Sequence, residues 1–157
     1  TTGYRGVVTK LRDIGEQACS LAAALSDIGD AWSFLILREA FYGRTTFSEF
    51  VKYTNAQKTV VSARLTALVD AGIMRREQYS THPPRDRYVL TTKGRDLSDA
   101  LLVLGEWGRR WADDDKYFMV DFVHDSCGHT VDPQLSCGHC GGMITPDTTT
   151  PRINPRP

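Results

Sequence analysis

The changing spacing of apolar residues between positions 19 and 113 constrains this chain more than any other feature. In 19–28, Leu21, Ala24, Leu25 and Ile28 recur every three or four residues, which places them on one face of a helix that Gly29 ends. The run 32–41 is apolar nearly all round, so it reads as a buried central helix stopped at Gly43. Residues 46–53 form a short third helix with Phe47 and Phe50 inward. Thr46 followed by Glu49 is a capping-box pattern at its start. A fourth helix begins at Asn55 or Gln57 and runs to about Ala71. Its inward stripe is Val61, Leu65 and Leu68, its outward face carries Lys58, Thr59, Ser62, Ala63 and Thr66, and Gly72 stops it.

The period then changes from helix to strand. Residues 73–79 and 87–90 alternate as strands, and 80–86 between them reads as an irregular tip because Pro83 and Pro84 each lack an amide donor. Thr92 is expected to cap a long last helix reaching about residue 113, with Leu97, Leu101, Leu104, Gly108 and Trp111 in a stripe that Leu102 and Trp107 widen. A face so wide on a terminal helix calls for a second subunit, with packing inside one subunit as the competing reading. Compact helices, a hairpin and a further helix make the order of a winged helix-turn-helix, mainly α with a small β-wing. That architecture places one helix in the major groove of double-stranded DNA. On this reading Lys58, Thr59 and Ser62 reach bases and phosphates, and Ala63 meets a thymine methyl. Arg64 either binds phosphate or pairs with an acid of its own subunit. Arg85 and Arg87 flank the wing tip, where a minor groove or its phosphates lie.

Charge supports a localised polyanion surface. The formal net charge is zero, yet residues 44–95 carry ten Lys and Arg against four Asp and Glu, while 112–147 carry one Lys against seven Asp. A solvated charged face explains any one of these cations, but not their gathering on the elements that face DNA. With 41% hydrophobic and 24% charged residues the composition is that of an ordinary globular protein. No apolar run reaches membrane-spanning length, and 1–11 lacks the apolar core of a secretion signal, so a cytoplasmic protein with no membrane partner is expected.

Of four cysteines, Cys127, Cys137 and Cys140 lie close together in a Gly-rich segment. The spacing is His124-x-x-Cys127-Gly, nine intervening residues, then Cys137-x-x-Cys140-Gly. Each half has the form of a zinc knuckle, and a closed structural zinc site takes four N or S donors in a tetrahedron. Cys127, Cys137 and Cys140 supply three. His124 is the first choice for the fourth and His129 the runner-up. A Cys137–Cys140 redox pair and a metal-free hairpin are the competing readings.

The pattern Cys19, Leu25, Ile28-Gly29, Trp32, Ile36-Leu37-Arg38-Glu39 resembles the HxlR-type winged-helix regulators, relatives of the MarR group. Phe47-Ser48-Glu49, Arg64-Leu65, Leu68, Ala71-Gly72-Ile73, Pro83-Pro84-Arg85, Tyr88, Leu90-Thr91, Gly94 and Glu106-Trp107-Gly108 extend the resemblance through roughly 18–113. It implies a homodimeric bacterial transcription regulator without catalytic activity. It also implies that Cys19, at the start of the first helix, senses electrophiles or oxidants. The residue itself admits two readings: a thiolate favoured by the helix dipole, or small buried filler. Four segments follow: an N-terminal arm (1–17), a DNA-binding and dimerisation domain (18–115), a zinc-ribbon-like β extension (116–145) and a disordered tail (146–157). Two rivals remain. One adds a small-molecule effector near Trp32, Trp107 and Trp111. The other is a zinc- or thiol-dependent enzyme carrying a degenerate helix-turn-helix.

Overall fold

A computed structural model describes residues 19–111 and 120–152, so the expected N-terminal arm lies outside the described residues. Four helices come first: α1 (Ser20–Ile28), α2 (Ala31–Phe41), α3 (Phe47–Thr54) and α4 (Lys58–Asp70). A two-stranded antiparallel wing follows, β1 (Met74–Thr81) paired with β2 (Pro84–Leu90). Then come a single turn α5 (Thr92–Arg95), the helix α6 (Ser98–Trp111) and, near the end, a short 3-10 turn (Pro146–Thr148). Contacts group the chain into two units, one ending at Ser98 and one beginning at Asp99.

The first unit is held by the residues whose spacing marks them as inward. Ile36, Leu37, Phe50, Val61, Leu65 and Leu68 are fully buried, joined by Ile73 and Met74 where β1 begins. Each such side chain contributes on the order of 1.5–3 kcal/mol of burial. α2 packs on both α3 and α4. The helix starts are fixed locally. The Asp30 carboxylate accepts from the amides of Trp32 and Ser33, and Thr46 with Glu49 closes the expected capping box. Glu49 accepts from the amides of Thr45 and Thr46, and these bonds hold its carboxyl below the usual glutamate range.

Several expectations are corrected. Leu21 and Ala24 are exposed; α1 buries Ile28 as expected and Ala22 besides. In an alanine-rich helix the small residue permits the closest approach, so the inward face lies one position round from the larger side chain. The wing is longer than alternation suggests. Pairing runs out to Thr81 opposite Pro84, with a register shift between Gln78 and Ser80 and a cis bond between His82 and Pro83. Pro84 opens its strand, where a missing donor is tolerated. Thr91, not Thr92, caps the next helix. Its hydroxyl accepts from Gly94 N and donates to Gly72 O. That helix is one turn rather than the start of a long one. Lys93 bonds Asp27 and Ala71 O, and Arg95 bonds Leu90 O, so its direction is set by these anchors. Gly94 has no room for a side chain: a Cβ there would stand 2.2 Å from the Ile73 carbonyl oxygen. In the second unit, the 3-10 turn at Pro146–Thr148 stands inside the segment expected to be disordered.

Candidate nucleic-acid interface

The geometry that matters is the pair α3–α4 and the turn between them. Asn55 adopts a left-handed backbone (φ 55°), a conformation open to asparagine at low cost. Thr54 Oγ1 donates to Phe50 O at 2.6 Å and accepts from Ala56 N, which draws the turn inward and buries Ala56. α4 therefore leaves α3 in a fixed direction.

α4 has two distinct faces. Val61, Leu65 and Leu68 are buried against the other helices, while Lys58, Thr59, Ser62, Ala63 and Thr66 are exposed. Its first turn has no acidic residue, and Gln57 at its N-cap makes no side-chain cap hydrogen bond beside Lys58. The positive end of a helix dipole favours an anion there. Arg64, expected either to bind phosphate or to pair within its own subunit, stands beside an acid of its own subunit. Its Nε stands 3.2 Å from Asp30 Oδ1, which ties α4 to the cap of α2.

The wing is docked on this pair rather than hanging free. Tyr88 N donates to Thr45 O at 2.7 Å, Thr46 bridges to Arg87, and the Tyr88 ring meets Phe50 edge-on at 6.5 Å. Along the ladder Arg76 pairs with Asp86, while Glu77 takes both Arg75 and Arg87 and is held below the usual carboxylate range by them. Arg87 is thus occupied on its own strand pair. Arg85, near the turn, is exposed and makes no ion pair among the described residues.

Sequence reasoning missed two contributors. Glu39 is buried on α2, its carboxylate accepting from Arg38 Nε and Nη2 at 2.9 and 2.6 Å. The Arg44 guanidinium lies 4.2 Å over the Tyr53 ring on α3. In the sequence Arg38 and Glu39 enter only through the motif that carries the resemblance, with no pairing assigned to them.

Cys19 is the N-cap residue of α1 and is exposed in the single chain, whereas the filler reading expects it buried. Its side chain closes no cap hydrogen bond, but the amides of Ala22 and Leu21 face the sulfur and lower the thiol below its ordinary value. His124, Cys127, Cys137 and Cys140 lie in two tight turns. Among the described residues, no three His, Cys, Asp or Glu side chains already stand in a metal-holding cluster.

A wing docked on a helix-turn-helix whose second helix shows a polar outer face defines a winged helix-turn-helix DNA-binding protein. Residues 27–116 match the HxlR-like helix-turn-helix family, and the chain belongs to that family. It is a family of transcriptional regulators, which sets aside the reading as an enzyme. The uncharacterized HTH-type transcriptional regulator Rv3095 of Mycobacterium tuberculosis is 38% identical over 87% of this chain and 86% of its own length. PA1607, described as a transcription factor, is similar in structure with a TM-score of 0.78 and 32% identity, covering 90% of this chain and 99% of its own. The redox regulator HypR in its oxidized form has a TM-score of 0.57 and 30% identity over 60% of this chain and 99% of its own.

Proposed function

We propose that the protein is a cytoplasmic, homodimeric regulator that binds a pseudo-palindromic operator through α4 and is modulated through Cys19. The observation that carries the DNA reading is the division of α4 into a fully buried stripe and an exposed face of Lys58, Thr59, Ser62 and Ala63. The exposed residues are short or flexible side chains suited to base edges and phosphates, with Arg85 reaching the backbone from the wing. Arg64 and Arg87 act differently, by holding α4 and the wing in place. Genome-wide footprinting tests this reading: bound sites should share an inverted repeat. Recovery of no enriched sites would count against it.

The dimer reading rests on α6. None of its residues is buried, and Leu104, Trp107 and Trp111 are 48%, 63% and 72% exposed at spacings that share one helix face. That apolar stripe needs a cover, and two half-sites bound together need two subunits. Replacing Leu104 with Glu is expected to convert a dimeric parent to monomers in sedimentation and to weaken operator binding. A parent that sediments as a monomer at micromolar concentration overturns the assignment.

The thiol reading rests on the exposure of Cys19 and the two amides that favour its thiolate, and the similarity to HypR is in keeping with it. Diamide or a quinone is expected to release the parent from its operator and to leave Cys19→Ser bound. Equal release of both proteins removes Cys19 from the role. Insensitivity of both points instead to a non-covalent small-molecule effector.

A further inference from the structure

Two segments of the chain beyond α6, 122–131 and 135–144, have the same backbone. In the first, His124 N donates to His129 O at 2.8 Å, and Gly128 N donates to His124 O at 2.8 Å. In the second, Cys137 N donates to Gly142 O and Gly141 N to Cys137 O, both also at 2.8 Å. The flanks close alike: Val123 bridges Thr130 and Ser136 bridges Met143, while Val131 N reaches Phe122 O and Ile144 N reaches Leu135 O. Gly128 and Gly141 both adopt φ 71°, a left-handed conformation that suits glycine. The correspondence equates His124 with Cys137 and Cys127 with Cys140, and it sets His129 opposite Gly142.

This repeat has no core to hold it. No described residue from 120 to 152 is buried. A segment so short and so exposed gains little from apolar burial and calls for a staple. What recurs in each turn is instead a pair of metal donors. His124 Nδ1 and Cys127 Sγ are 3.4 Å apart, and the amides of His139 and Cys140 face Cys137 Sγ.

We propose that His124, Cys127, Cys137 and Cys140 bind one zinc ion per chain, each turn giving two donors to a closed tetrahedral site that folds the extension. Three sulfurs and one imidazole suit zinc, whereas calcium and magnesium take oxygen ligands. On binding, the three thiols release their protons to solvent and the sulfurs ligate as thiolates. Four protein donors leave no open position for a substrate, so the site is structural. The equivalence of His124 with Cys137 selects it over His129.

The test uses the full chain purified without chelators under reducing conditions. Metal analysis is expected to find one zinc per chain, and Cys137→Ser or Cys140→Ser to lose it. Cobalt(II) added to the zinc-stripped parent should give the intense visible absorption of a tetrahedral thiolate site. His124→Ala should remove that spectrum and His129→Ala should keep it. The first unit is expected to melt unchanged after chelation. Two results overturn the proposal. One is a parent without stoichiometric zinc and without the cobalt spectrum, whether its thiols are free or joined as a Cys137–Cys140 disulfide. The other is a spectrum lost in His129→Ala and kept in His124→Ala, which overturns the ligand set. Because the parent's cobalt titration needs no variant, a misfolded substitution does not decide the question.

Discussion

A Ser62→Glu protein is expected to melt like the parent and to lose its operator. Ser62 is exposed on α4, one position from buried Val61, so its replacement disturbs no packing. The new carboxylate would face phosphates and acceptor-rich base edges. A lost base contact costs roughly 1–3 kcal/mol, and a homodimer carries the change in both half-sites, so binding should weaken by about 2–6 kcal/mol. That is between roughly 30-fold and roughly twenty-thousand-fold in Kd. Thr59→Glu should behave alike. Electrophoretic shift of a footprinted site measures the loss, and circular dichroism confirms the fold. Either variant binding the operator as the parent does would show that α4 is not the reading helix.

The largest effect on stability is expected at Phe50. Its ring is fully buried where α3 meets the wing, edge-on to Tyr88. Truncation to alanine removes both the burial and the contact that seats β2, at a cost of about 3–5 kcal/mol. For a small domain whose whole stability is of order 5–15 kcal/mol, that is a large fraction. The melting temperature should fall by more than about 10 °C, and denaturant midpoints should move with it. A fall of only a degree or two would show that the helix pair and the wing do not share one core.

What could be read in advance follows from where the determining forces act. The stripe of Val61, Leu65 and Leu68 and the outward set around Ser62 were legible because both follow the helical period. The Thr46–Glu49 box was legible because it is local. Ala22 displaced Leu21 from the inward face, since periodicity counts apolar residues without knowing which permits the closer approach. The outer wing was not legible because its pairing carries little hydrophobic alternation. Past the register shift between Gln78 and Ser80, it pairs Ser80 with Arg85 and Thr81 with Pro84. Buried Glu39 was hidden because its partner is the adjacent Arg38, a relation no spacing rule reports. The break before α6 depends on anchors far away in sequence, such as Asp27 for Lys93. In the extension, the donor spacing was visible from sequence, but the choice between His124 and His129 needed the matching backbones.

The ion pairs on the wing also bear on how this surface exchanges ions with its surroundings. Arg64, Arg75, Arg76, Arg87 and Lys93 each already face a carboxylate of their own chain. A guanidinium that leaves such a partner for a DNA phosphate trades one anion for another and yields little net counterion release. The entropic gain of association would then come chiefly from cations such as Lys58 and Arg85, which make no ion pair among the described residues. The formal surplus between residues 44 and 95 therefore overstates the long-range pull on a polyanion. A protein built this way depends more on short-range fit in the groove than on attraction at a distance, and its grip fades less as ionic strength rises.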